Sequence, residues 1–162
     1  MNRFIIADAQ KCIGCRTCEV ACVVSHQHDQ SCTTVATPQF APRIRVVKSD
    51  ELSTATLCRQ CEDAPCANVC PVDAIQRENA AWYVDQRRCI GCKSCMVACP
   101  YGAITVMLTG EGVQALKCDL CRHRAEGPAC IAACPTQALR CLEGAELERL
   151  SAQRRRRMAL AM

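Results

Sequence analysis

The stretch Cys89-Ile90-Gly91-Cys92-Lys93-Ser94-Cys95-Met96-Val97-Ala98-Cys99-Pro100 has the spacing C-x2-C-x2-C-x3-C-P. Three thiolates so spaced fold a short loop around one iron-sulfur cube, and the fourth reaches toward a second cube. Thiolate sulfur is the soft ligand this chemistry requires, and two-residue gaps let backbone N–H groups turn toward the sulfurs. Gly91 suits the loop because it takes positive φ without strain. A helical turn beyond Cys95 puts Cys95 and Cys99 four apart on one face, so one element can serve two cubes. Pro100 lacks an N–H and ends that turn.

The motif recurs. Cysteines fall into four groups: Cys12, Cys15, Cys18, Cys22; Cys58, Cys61, Cys66, Cys70; Cys89, Cys92, Cys95, Cys99; and Cys118, Cys121, Cys130, Cys134. The first and third share the string Cys-Ile-Gly-Cys, while the second and fourth widen the middle gap. All four keep the terminal C-x3-C, followed by Pro71, Pro100 and Pro135 in three groups and by Val23 in the first. The exception is expected to alter the exit of that loop and not its ligation. Such internal repetition sets the architecture before any other signal.

Cysteine is 18 of 162 residues, a level that marks either a disulfide scaffold or a metal-rich chain. The compartment decides between them. The apolar run after Met1 ends at Asp8, too short for a signal-peptide core, Arg87-Arg88 is internal, and no segment approaches the ~18 apolar residues of a membrane span. A cytoplasmic chain without direct membrane insertion is the expectation, and there clustered thiols mean metal chemistry. Zinc held by four thiolates also uses C-x2-C pairs, but from two well-separated pairs, whereas three thiolates at two-residue spacing with a trailing C-P favour a cube.

The formal charge of +4 counts cysteines as neutral. An oxidised [4Fe-4S] cube with its four thiolates carries about −2, so four cubes bring the total to about −4 and nucleic acid is excluded as a partner class. There is no Gly-rich dinucleotide fingerprint and no nucleophile with a paired base, so an electron carrier is expected and not an enzyme.

Short strands are predicted at Arg3–Ala7, Arg43–Val47, Ala103–Leu108, Val113–Leu116 and Ala138–Leu142, with a hairpin formed by residues 74–78 and 81–85 about Asn79-Ala80. The fold class is α+β: two ferredoxin-like two-cluster modules of short antiparallel strands and short helices, with extended connectors and a C-terminal helix. Residues 1–142 form the four-cluster domain, with an inner module at about 52–108 and an outer module from 1–24 plus 113–142. Residues 25–51 are a polar connector containing Pro38 and Pro42. The basic tail 143–162, with Arg154-Arg155-Arg156-Arg157, reads as a solvated helix or, more sharply, as a docking arm for an acidic partner.

If fourth cysteines exchange between paired groups, the inner sites are Cys58, Cys61, Cys66 with Cys99, and Cys89, Cys92, Cys95 with Cys70. The outer sites are then Cys12, Cys15, Cys18 with Cys134, and Cys118, Cys121, Cys130 with Cys22. Local closure of each C-x3-C is the competing assignment, and spacing leaves both open.

The layout, carried by CIGCRTCEVACVVSHQ, CRQCEDAPCANVCP, CIGCKSCMVACPYGAI and GPACIAACPTQAL, resembles the four-cluster ferredoxin subunits of molybdopterin oxidoreductases and formate-hydrogenlyase-type complexes. The likeness covers essentially the whole chain. It implies four [4Fe-4S] clusters, crossed ligation, and electron relay between a formate dehydrogenase-type catalytic subunit and another redox protein such as a hydrogenase. A role in formate dehydrogenase maturation, or as a redox-sensing scaffold, is the alternative. The oligomeric state has no sequence signature.

The remaining candidates have plain readings. Cys32 is a loop thiol and Cys141 a small strand residue. His26, His28 and His123 are not needed as ligands where sixteen thiolates satisfy four cubes. Lys93, Lys117, Arg16, Arg59 and Arg122 flank cluster cysteines; each reads first as a solvated surface charge, and otherwise as a cation that raises a cluster's potential.

Overall fold

Three β-hairpins follow one another along the chain, enclosed by a ribbon that joins its two ends. In the computed structural model, which describes residues 2–35, 37 and 40–161, the strands are β1 (Phe4–Ala7), β2 (Ile44–Lys48), β3 (Ser53–Leu57), β4 (Ile75–Glu78), β5 (Ala81–Val84), β6 (Thr105–Thr109), β7 (Gly112–Leu116) and β8 (Leu139–Leu142). The helices are α1 (Thr17–Ser25), α2 (Pro65–Asn68), α3 (Ser94–Ala98), α4 (Ala129–Ala132) and α5 (Gly144–Leu160). Short antiparallel strands with a C-terminal helix make this an α+β fold, as the sequence implies.

Each sheet has two antiparallel strands: β1·β8, β2·β3, β4·β5 and β6·β7. The β1·β8 register runs from Phe4↔Leu142 to Ala7↔Leu139. The expected hairpin is β4·β5, and its turn residues Asn79 and Ala80 both take positive φ (49° and 60°), which matches the twist of the strands it joins. The other anticipated strands are present with ends shifted by a residue or two. β3 was not anticipated. It pairs with β2 (Ile44↔Leu57, Val46↔Ala55), so the stretch read as a connector ends in a hairpin. Of its two prolines, Pro42 is buried and Pro38 lies outside the described residues.

Two apolar clusters fill the interior. The larger joins Ile5, Ile44, Val46, Leu57, Leu120 and Leu139 to Cys18, Cys22, Cys58, Cys118 and Cys130. The smaller joins Ala64, Ile75, Ile104 and Ala115 to Cys66 and Cys95. Cysteine thus supplies much of the bulk that aromatic side chains supply elsewhere.

Polar side chains fasten these pieces. The buried Glu19 carboxylate on α1 accepts the Val46 N–H of β2 at 2.6 Å. The buried Asn2 amide donates to the Gln60 and Cys61 carbonyls at 2.8 and 3.0 Å. α5 buries no residue, and no helix of the described chain is long and apolar enough to cross a membrane.

Candidate iron-sulfur sites

Each cysteine group opens with a C-x2-C loop, and the residue before its second cysteine has positive φ in all four: Gly14 (69°), Gln60 (51°), Gly91 (68°) and Leu120 (58°). This shared left-handed residue curls the backbone so that two thiols face one point. Glycine is demanded where space is also short, since a Cβ on Gly91 would stand 2.3 Å from Val113 Cγ1. Gln60 and Leu120 take the strained conformation with buried side chains.

The third cysteine of each group sits on a helix, Cys18 on α1, Cys66 on α2, Cys95 on α3 and Cys130 on α4, and the fourth follows one turn later. Among the described helices, α1 packs against α4 and α2 against α3. Across these pairs the fourth cysteines change company. Cys58, Cys61, Cys66 and Cys99 line one small cavity. Cys70, Cys89, Cys92 and Cys95 line a second, and Cys12, Cys15, Cys18 and Cys134 a third. Cys22, Cys118, Cys121 and Cys130 form a buried cluster of thiols, close enough that the charges of the other three add to burial in pushing the Cys130 thiol up.

The sulfurs meet backbone N–H donors, as cluster loops require. Cys70, Cys99 and Cys134, each followed by proline, accept from the residue four on: Ala74 at 3.3 Å, Ala103 at 3.4 Å and Ala138 at 3.3 Å. Cys22 differs. With Val23 after it, α1 runs on to Ser25, and the Cys22 sulfur accepts instead from the Arg43 N–H at 3.3 Å. The altered loop exit expected from Val23 is a longer helix.

Thiol acidity divides the ligands by exposure, within sites as well as between them. Cys15 is exposed and held below the ordinary thiol value by the Thr17 hydroxyl, 3.3 Å from its sulfur. Cys92, also exposed, is lowered by Ser94. Burial pushes Cys18 up to about 11 and Cys66 up to about 11, the latter against the pull of the Lys117 ammonium. Burial also drives Cys118 far above the usual thiol range. Four converging sulfurs per site, with N–H donors aimed at several of them, match the donor set of a [4Fe-4S] cube.

Beside the buried thiols lies a polar network that spacing did not announce. The Arg43 guanidinium donates to Asp119 Oδ2 at 2.7 Å, and His26 Nε2 bonds Asp119 Oδ1 at 3.1 Å. Burial alone would lower the His26 imidazole, but Asp119 and the Cys22 carbonyl outweigh it and hold it up to about 10. Burial raises the Asp119 carboxyl, yet His26 and Arg43 bring it well below the usual carboxylate range. The ligand atoms of His26, Asp119 and Cys121 lie within 4.8 Å of one another, but His26 and Asp119 are already engaged with each other and with Arg43.

Of the flanking cations, Arg16, Arg59, Lys93 and Arg122 are exposed. Arg122 stacks on Tyr83 at 3.8 Å and pairs with Glu78. Lys117 departs from the solvated reading, being only 2% exposed. Cys32 is exposed in a 3-10 turn, and Cys141 is half-buried on β8.

Comparison with known proteins bears on these sites directly. The family described as "4Fe-4S dicluster domain" matches residues 50–143, and "4Fe-4S binding domain" matches residues 9–24. The chain is 60% identical to the electron transport protein HydN of Escherichia coli K12, over 99% of both chains. It is 60% identical to the putative electron transport protein YsaA of the same strain, covering 92% of this chain and 95% of YsaA. Formate hydrogenlyase subunit 2 of that strain is 38% identical over 96% of this chain and 89% of its own.

Proposed function

The chain belongs to the 4Fe-4S dicluster family, and from that premise we propose that it is an electron carrier holding four [4Fe-4S] clusters, not an enzyme. The proposed ligand sets are crossed: Cys12, Cys15, Cys18, Cys134; Cys22, Cys118, Cys121, Cys130; Cys58, Cys61, Cys66, Cys99; and Cys70, Cys89, Cys92, Cys95. The observation that carries this reading is the company of the fourth cysteines, since Cys70, Cys99 and Cys134 each line the cavity of a different group. In this reading the first two sets belong to an outer module and the last two to an inner module nested within it.

The cubes would supply one-electron chemistry, and the polypeptide sets their order, their dryness and the charges around them. Helices α1 and α4 join the Cys12 and Cys22 sites, and α2 and α3 join the Cys58 and Cys70 sites. Between the two pairs, the Gln60 side chain donates to the Cys118 carbonyl at 2.8 Å. The sites therefore follow in the order Cys12, Cys22, Cys58, Cys70. Its two ends carry the exposed thiols Cys15 and Cys92, and near the latter Ile90, Met96 and Val97 are exposed. Electrons would enter at one end and leave at the other.

Similarity to formate hydrogenlyase subunit 2 supports a formate dehydrogenase-type donor and a hydrogenase-type acceptor; a cytoplasmic location belongs to the same proposal. The test is anaerobic purification with iron and acid-labile sulfide analysis, then titration monitored by EPR and electron transfer to both enzymes. About sixteen irons per chain and reversible reduction are expected. A zinc-filled, redox-silent protein would overturn the cluster reading. Loss of formate dehydrogenase activity only when the protein is absent during synthesis would favour maturation over relay.

A further inference from the structure

Among the described residues, Lys117 is the one buried lysine or arginine; the buried carboxylates Glu19 and Asp119 have partners of their own. It lies at the end of β7, directly before Cys118, and lines the cavity of Cys58, Cys61, Cys66 and Cys99. Its Nζ donates to the Trp82 carbonyl at 2.5 Å and to the Cys118 carbonyl at 3.1 Å. Among the described residues no carboxylate pairs with it, and nearby Asp119 is engaged by Arg43 and His26.

An ammonium withdrawn from water loses most of its solvation, and two neutral carbonyls offset only part of that loss. The compensating charge would come from the cluster proposed for the site it lines. Four thiolates and an oxidised cube total about −2, and about −3 once an electron has arrived. A fixed cation in a dry setting therefore stabilises the reduced state by one more unit of charge than the oxidised state. The neighbouring Cys70 site offers a contrast, because the cation lining its cavity, Lys93, is exposed and screened by water.

We propose that Lys117 is an interior positioning cation that raises the reduction potential of the cluster held by Cys58, Cys61, Cys66 and Cys99 above that of the cluster at Cys70, Cys89, Cys92 and Cys95. The inference rests on the ligand sets proposed above. The step it governs is the arrival of one electron, drawn from a low-potential donor through a terminal site. No bond forms or breaks, and no proton moves. An electron entering at the Cys92 end thus runs downhill into the interior.

The experiment is an EPR-monitored titration of the holoprotein with dithionite and ferricyanide, comparing wild type with Lys117→Met, Lys117→Gln and Lys117→Arg. Both neutral variants should make reduction of one centre at least tenfold less favourable, about 59 mV for one electron, and leave the others in place. Lys117→Arg should stay near wild type. Lys117→Gln keeps a donor for the Trp82 carbonyl, so a purely structural role would leave its potentials unmoved, and that result overturns the proposal.

Should neither neutral variant load iron, the wild-type order decides. Signals assigned by Cys61→Ser and Cys92→Ser should place the Cys61 centre at the higher potential, and the reverse order overturns the proposal. Iron missing from wild type would instead sink the ligand reading, independently of Lys117.

Discussion

In the proposed relay, the two terminal sites and the two interior sites share one loop geometry but fill it differently. In the terminal loops the left-handed position is Gly14 or Gly91, bare backbone beside the exposed thiols Cys15 and Cys92. In the interior loops it is Gln60 or Leu120, each with a buried side chain. Gln60 accepts the Trp82 N–H at 2.7 Å and donates to the Cys118 carbonyl, while Asn2 and the Trp82 indole both donate to the Cys61 carbonyl. The interior loops are thus bolted to distant segments, and the terminal loops stay open to a partner. Burial raises Cys66, Cys118 and Cys130 in the interior sites and Cys18 and Cys95 in the terminal ones, while neighbouring hydroxyls lower the exposed Cys15 and Cys92, so ligation by the buried thiols must be completed as the fold closes.

The harshest test of this contrast removes one ligand from each kind of site. Cys92→Ser should lose or convert one centre, costing at most about four of about sixteen irons with the fold retained. Cys118→Ser should abolish soluble holoprotein, because Cys118, unlike the half-buried Cys61, lies in the buried thiol cluster, where metal binding is folding energy. Iron analysis and circular dichroism separate the outcomes, and equal losses would break the contrast.

Next in size is Asp119→Ala, which leaves Arg43 and His26 facing each other without their shared carboxylate. It should destabilise by about 3–5 kcal/mol, read as earlier thermal bleaching of the visible absorbance. A change confined to the surface would be worth well under half of that. Val23→Pro should cost about 3 kcal/mol, since it removes a bond inside α1 and clashes with the preceding turn. A proline tolerated there would show that the first group exits like the other three.

Gln60→Gly sets two effects against each other. Relief of the left-handed strain gains about 1–2 kcal/mol. Loss of two buried hydrogen bonds orphans the Trp82 N–H at about 1–3 kcal/mol, and the Cys118 carbonyl, which keeps the Lys117 ammonium, adds about 0.5–1.5 kcal/mol. Net destabilisation, with weaker coupling between the Cys58 and Cys118 sites, is the expected balance; a stabilised variant would show that the side chain is not a bolt. The smallest effect on stability belongs to deletion of residues 152–162. With α5 exposed, iron content and bleaching temperature should not move, while binding of an acidic redox partner should weaken.

Much of this was legible in the residues. Spacing announced thiolate loops, the proline after three of the groups marked where short helices stop, and Val23 marked the one that continues. Alternation exposed most strands. β3 escaped because Ser53-Thr54-Ala55-Thr56-Leu57 is polar and short, and its two buried residues gain their cover only from β2 across the hairpin. Lys117 escaped for a related reason, since a lysine is nearly always solvated and nothing in its neighbours says otherwise. The Arg43–Asp119–His26 network draws on three segments that local pattern cannot relate.

What the sequence determined by itself is the ligand chemistry and the shape of each loop, because both follow from covalent spacing over a few residues. Only the tertiary structure decided which thiols lie dry and which face water, which helix stands against which, and that one lysine is enclosed. Those are properties of contact between segments as far apart in the chain as Phe4 and Leu142, and burial, unlike local curvature, depends on what the rest of the chain lays over a residue.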